Sequence, residues 1–129
     1  MAKGEAEFRY DNKTFILAYD FRAQALYERL MGGGNFLELM QRFGAASENE
    51  NASLPISLNE VSCLFAAGMK RHHPKYATRS AAEGMINDIM QAEGFQTGLQ
   101  EILRYCMEAL SDSISAGKSS EPEEQPGED

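Results

Sequence analysis

Two histidines, two cysteines, a run of three glycines and one basic cluster are the side chains of this 129-residue sequence whose types or spacing could do chemistry. His72 and His73 are natural metal ligands. Adjacent residues at a helix end point in different directions, however, and neither a cysteine nor a third histidine stands nearby in the sequence. They read better as a cationic pair at a helix C-terminus, where the helix dipole favours positive charge. Cys63 and Cys106 fall on apolar faces, where free cysteine behaves as a small hydrophobe. A nucleophilic thiol needs a base and an electropositive setting, and neither is visible. Gly32, Gly33 and Gly34 precede a helix, as a phosphate cradle does, but no Lys-Ser/Thr follows and no strand precedes them. They read as a linker between helices. The acid pairs Glu48/Glu50 and Glu123/Glu124 sit in a loop and a tail, where solvent keeps them ordinary. None of these groups supplies a catalytic residue, a metal site or a cofactor site, and the sequence gives no support for an enzyme.

Two features point instead to binding. Lys70, Arg71, Lys75 and Arg79, with His72, His73 and Tyr76, form the one positive patch. Four cations in a chain of net charge −8 give weak, salt-sensitive contact with nucleic acid at best. The second feature is six internal methionines, Met31, Met40, Met69, Met85, Met90 and Met107. Their flexible thioethers suit either gap-filling in a small core or a face that adapts to helical partners of varied sequence.

The elements that must position these residues follow from periodicity. Glu7-Phe8-Arg9-Tyr10 alternates polar and apolar, Thr14-Phe15-Ile16-Leu17 is β-branched and aromatic, and Asp11-Asn12-Lys13 between them carries turn-formers. This is a short β-hairpin, which needs helices or another chain beneath its apolar face. From Asp20 the period becomes helical. Asp20 is an N-cap, Ala23, Leu26, Tyr27 and Leu30 share a face, and the glycine run ends the helix. Asn35 caps a second helix with Phe36, Leu39, Met40 and Phe43 on one stripe and Gly44 as its stop. Residues 45–55 are a polar loop. Ser57 and Glu60 form a capping box, with Ile56 and Val61 at the spacing of a hydrophobic staple. The helix they open, running to about Lys70, is apolar almost all round and belongs at the centre. Pro74 closes it. Ser80 and Glu83 give a third capping box before Ala82, Met85, Ile86, Ile89 and Met90, and a last helix carries Phe95, Leu99, Ile102, Leu103, Cys106, Leu110 and Ile114. The fold class expected is α+β, mainly α: an N-terminal hairpin followed by about five amphipathic helices.

Composition bounds the rest. The chain is 43% hydrophobic and 25% charged, the balance of a soluble globular protein, and its length suits one domain. No apolar run approaches the ~20 residues that span a bilayer. The first residues are polar, unlike a signal peptide, and two cysteines are too few for a disulfide framework. Residues 111–129 hold six acids and one base. From Ser115 on, prolines, glycines and acids leave too little apolar area to offset backbone ordering, so disorder is expected there. The organisation expected is a flexible N-terminus over 1–6, a single domain over 7–114 and a disordered acidic tail over 115–129.

The order of elements carries a resemblance. A hairpin around Phe8-Arg9-Tyr10 and Thr14-Phe15-Ile16-Leu17 leads into Tyr19-Asp20-Phe21-Arg22-Ala23-Gln24-Ala25-Leu26-Tyr27-Glu28 and a glycine-rich break. Ser57-Leu58-Asn59-Glu60-Val61 follows, then Leu64-Phe65-Ala66-Ala67-Gly68-Met69, the His72-His73-Pro74 stop, and Ala82-Glu83-Gly84-Met85-Ile86 opening the next pair of helices. Over residues 7–110 this resembles the tail assembly chaperones of long-tailed phages and prophages, including the tail-protein family of gene transfer agents. The acidic tail departs from the compact members of that family. The resemblance implies a non-enzymatic protein of the bacterial host cytoplasm that binds the tape-measure protein, the tail tube protein or both during tail assembly, with self-association a further expectation. It implies neither a membrane partner nor a cofactor, and nucleic acid is disfavoured. A helical partner needs an apolar groove, and Phe36, Met40, Phe43, Met85, Ile89 and Met90 are the residues expected to contribute to it. The alternative from a different class is a small helical regulatory or nucleic-acid-associated module using the 70–79 basic segment.

Overall fold

A computed structural model describes the backbone of residues 5–47 and 56–123 and the side chains of 5–43 and 56–111. Two antiparallel strands, β1 (Glu5–Tyr10) and β2 (Lys13–Ala18), precede five helices: α1 (Phe21–Leu30), α2 (Phe36–Ser47), α3 (Leu58–Gly68), α4 (Arg79–Glu93) and α5 (Phe95–Glu123). A 3-10 turn, Pro74–Tyr76, lies between α3 and α4. The architecture is the α+β, mainly α fold expected.

The hairpin turns on two residues. Asp11 and Asn12 both have positive φ, 54° and 62°, as the two-residue hairpin turn with a matching twist requires. Phe8 therefore lies directly opposite Phe15, and their rings stack 5.6 Å apart on the inner face. That face does dock on helices: Phe8 also packs on Phe65 of α3 and Tyr105 of α5. The first strand begins at Glu5 and Ala6 is fully buried, so residues 5 and 6 belong to the paired strand, and residues 1–4 of the flexible N-terminus expected over 1–6 lie outside the described residues. Pairing of Ala6 with Leu17 in the core supplies the reason.

The centre of the domain is α3, in which every residue from Val61 to Gly68 is buried. Small side chains (Cys63, Ala66, Ala67 and Gly68) let neighbours approach closely. At Gly68 a Cβ would stand 2.8 Å from the Tyr19 hydroxyl oxygen and 2.9 Å from Leu17 Cδ2, so the hairpin and the strand exit rest directly on the α3 backbone. The Tyr19 hydroxyl donates to the Leu64 carbonyl at 2.7 Å, fixing that contact. Gly98 plays the same part between α5 and α4, where a Cβ would lie 2.8 Å from Met90 Cα.

Most helix starts follow the local signals. The Asp20 side chain accepts from the Ala23 amide, Asn35 from Glu38, and Ser57 and Glu60 complete a reciprocal capping box. Two boundaries differ from expectation. The cap of α4 is Thr78, which accepts from the Ala81 amide, so Ser80 is already inside the helix. Helix α2 continues through Gly44 to Ser47, because one glycine lowers helix propensity without ending a helix. The backbone of α5 is described through Glu123. Residues 124–129, the end of the expected tail, lie outside the described residues, as does most of the loop expected over 45–55.

Candidate functional site

Burial decides which apolar residues can meet a partner. Phe36 is 5% exposed, Phe43 and Met85 4% each. All three belong to the core, so the groove expected from them is corrected: hydrophobic spacing marked them as apolar-face residues, and that face is covered by neighbouring elements. Phe36, for example, packs edge-on against Tyr27 of α1. Met40, Ile89 and Met90 are half-buried at the edge of the core. They share no single groove. Ile89 and Met90 open onto two different clefts, and Met40 lines neither.

The apolar cleft has a volume of about 400 Å³ and lies among the first turns of α3 and α5 and one face of α4. Val61 and Ile86 are its buried apolar lining, Met90 and Leu99 are half-buried, and Leu58 and Phe95 stand 60% and 59% exposed. Leu58 opens α3 directly after its cap, Ser57, and Phe95 opens α5 directly after Gly94, the residue that closes α4. Four of the polar residues that border the cleft are engaged with one another. The Arg79 guanidinium donates to Asn59 Oδ1 and pairs with Glu83 at 3.7 Å, and the Ser62 hydroxyl donates to the Asn59 carbonyl at 3.0 Å. The site can therefore bury apolar side chains and offers no group poised for chemistry. Sequence reasoning placed Leu58 and Phe95 on helices without marking them as binding residues. Their position immediately after a cap was the available signal.

The cleft beside Ile89, about 630 Å³, mixes polar and apolar surface and is bordered by the charged residues Arg9, Asp11, Asp88, Glu93 and Glu101 and by Tyr10 and Tyr105. The Tyr10 hydroxyl donates to Asp88 Oδ2 at 2.5 Å, tying the hairpin to α4. That bond, with burial and the charge of Asp88, pushes the Tyr10 phenol up to about 12.

The 70–79 basic segment is not one patch. Lys70 and Arg71 line a third cleft of about 420 Å³ with Asp20, Arg22 and Phe21, whose ring is 81% exposed. Arg79 belongs to the apolar cleft. Arg71 is engaged by Asp20 at 3.4 Å and by Glu5 at 4.0 Å.

The two histidines reach across to the hairpin. Each holds one strand of the hairpin. His73 Nε2 accepts the Ile16 amide of β2 at 3.0 Å, and its ring lies against Phe15 at 4.8 Å between centroids. His72 Nε2 lies 2.8 Å from Glu5 Oε2 of β1. The glycine run is a linker: the amides of Gly32, Gly33 and Gly34 donate to the last carbonyls of α1, at Arg29 and Glu28. Both cysteines are buried, and burial pushes the Cys63 thiol up and the Cys106 thiol to about 12. Among the described residues no three His, Cys, Asp or Glu side chains converge as a metal-ligating group, and no helix is long and apolar enough to cross a membrane. Comparison of the chain with protein-family models, with curated proteins and with solved structures returned no match.

Proposed function

We propose that this protein is a non-enzymatic tail assembly chaperone that binds the tape-measure protein, the tail tube protein or both during tail morphogenesis in the bacterial host cytoplasm. One structural observation supports the reading. The cleft bordered by Leu58 and Phe95 and lined by Met90 and Leu99 leaves two large apolar side chains in water at the mouth of a concave apolar surface. Such a surface accepts the apolar face of an amphipathic helix, the form in which a long helical client presents its side chains. Met90 can adjust to clients of varied sequence. The modest volume suits a contact that must later release, since obligate interfaces are larger and more apolar. The resemblance over residues 7–110 supplies the identity of the client.

Co-expression with a tape-measure protein and with a tail tube protein tests this. The wild-type chain is expected to recover a soluble complex, and the double variant Leu58→Asp, Phe95→Asp is expected to lose it by about tenfold or more, since truncating or charging a buried anchor commonly costs 2 kcal/mol or more, roughly. Both positions are exposed, so the variant keeps its thermal midpoint. Equal recovery by a folded variant overturns the cleft as the binding site, and no recovery by the wild type overturns the chaperone reading.

A second reading, a small module that contacts nucleic acid through the 70–79 segment, draws on one observation: the exposed Phe21 ring lies in a cleft with Arg22, Lys70 and Arg71. Cations beside an open aromatic face are the elements of single-strand binding. Salt-dependent binding to single-stranded DNA, lost on Phe21→Ala and Lys70→Glu, would favour it.

A further inference from the structure

We propose that His73 is an acid-released latch on the hairpin: protonation of its ring releases the Ile16 amide of β2, while the His72 contact with Glu5 of β1 needs no free lone pair on the ring. Adjacent histidines here hold the two strands by bonds of opposite character. His73 Nε2 accepts the Ile16 N–H at 3.0 Å, which only a ring with a free lone pair on Nε2 can do. Its single ring proton must then sit on Nδ1. A second proton, on Nε2, places two N–H groups face to face and removes the bond. His72 Nε2 meets a carboxylate, Glu5 Oε2 at 2.8 Å, an acceptor towards which the ring must present an N–H. The bond to β2 is therefore the one that a second proton on its own ring removes.

The surroundings of His73 act in the same direction. Burial, and then the neighbouring His72 with its ring 6.2 Å away, hold the His73 imidazole below its ordinary value. Glu5, the carboxylate from β1, is engaged by His72 and Arg71, and Asp20 by Arg71. Tyr76 faces Phe15 from the 3-10 turn at 5.1 Å, and β2 brings the Phe15 ring and the Ile16 amide. The preceding backbone is fixed, since the His73 amide donates to the Met69 carbonyl at 2.8 Å, so the ring has a defined position from which to grip. A base whose value is depressed in the closed state stabilises that state fully above its ordinary value of about 6.5, and the contribution is lost as pH falls from there towards the depressed value.

Hydrogen exchange of the full chain, followed by NMR from about pH 7.5 to about pH 5 and corrected for intrinsic rates, reads the latch directly. In the wild type, Ile16 protection is expected to fall by up to about tenfold per pH unit below about 6.5, as one added proton requires. The amides of β1 are expected to fall less. His73→Gln places a neutral Oε1 near the position of Nε2, and its Ile16 protection should stay within about twofold over the same range, having no proton to gain. His72→Gln keeps the fall at Ile16, whose amide is bonded to His73. If His73→Gln does not fold, the nitrogen shifts of wild-type His73 still decide, because they must show Nε2 unprotonated at neutral pH and titrate together with Ile16 protection. Protection at Ile16 that is level down to pH 5 in the wild type, an equal fall in His73→Gln, or a proton on His73 Nε2 at neutral pH each overturns the proposal.

Discussion

Gly68→Ala tests how the hairpin is seated. If Gly68 were merely the last residue of an ordinary helix, alanine would stabilise the protein by up to about 1 kcal/mol through helix propensity. The structure predicts the opposite sign. The new Cβ would stand 2.8 Å from the Tyr19 hydroxyl oxygen and 2.9 Å from both Tyr19 Cζ and Leu17 Cδ2, against about 3.5–4.0 Å for ordinary carbon contacts. Both neighbours are fully buried, and the Tyr19 hydroxyl is tied to the Leu64 carbonyl at 2.7 Å, so relief requires the hairpin to lift or that bond to lengthen. Overpacking of this kind costs about 1–3 kcal/mol, and weakening the buried hydrogen bond adds about 0.5–1.5 kcal/mol. After the propensity gain, a net loss of about 1–3 kcal/mol remains. Urea unfolding followed by circular dichroism should show a lower midpoint at unchanged slope, with the thermal midpoint down by roughly 4–10 °C for a domain of this size. A double-mutant cycle with Tyr19→Phe, which removes the 2.8 Å contact but leaves Cζ in place, should recover part of the loss. A Gly68→Ala protein as stable as the wild type, or more so, refutes the close seating of the hairpin on α3.

Glu60 joins two structures, accepting from the Ser57 amide at 2.8 Å and pairing through both carboxylate oxygens with Arg42 of α2, and the Arg42 hydrogen bond holds its carboxyl below the usual range. Glu60→Gln should cost about 1 kcal/mol at neutral pH, and the difference from wild type should vanish as pH falls through the depressed value, below about 4.3, because only the carboxylate makes the pair. Cys63 and Cys106 should resist a thiol reagent such as DTNB in the native protein at pH 8 and react together in denaturant, since both are buried and their thiols are raised. Rapid reaction of either native thiol would contradict the packing described.

The fold was legible because its punctuation is local. Asp20, Asn35 and the Ser57/Glu60 box act within three residues of themselves, and the turn at Asp11 and Asn12 needs only its own backbone. Where two local signals compete, the sequence misleads: Ser80 with Glu83 resembles a box, but the 3-10 turn at Pro74–Tyr76 delivers the chain so that Thr78 is the cap. The site was less legible, for a physical reason. Spacing identifies an apolar face without saying which neighbour covers it, so Phe36, Phe43 and Met85 looked like groove residues and are core. The histidines show the same limit from the polar side. Their partners, Glu5 and Ile16, are separated from them by 67 and 57 positions, beyond any motif.

The placement of Phe8 against Tyr105 has a consequence for synthesis on the ribosome. The hairpin of this domain leaves the exit tunnel before the helices that cover it, and the α5 ring that stacks on Phe8 is made almost a hundred residues later, at 4.9 Å in the finished protein. A two-stranded hairpin is marginal alone, and non-local closure is slow. At about 5–20 residues per second, the part of its aromatic face that Tyr105 covers is therefore open for roughly 5–20 s in every nascent chain, after Phe65 and Tyr76 have already been made. A circular permutant that begins at α1 and ends with the hairpin would emit its covering helices first and shorten that interval to about a second at the same rate.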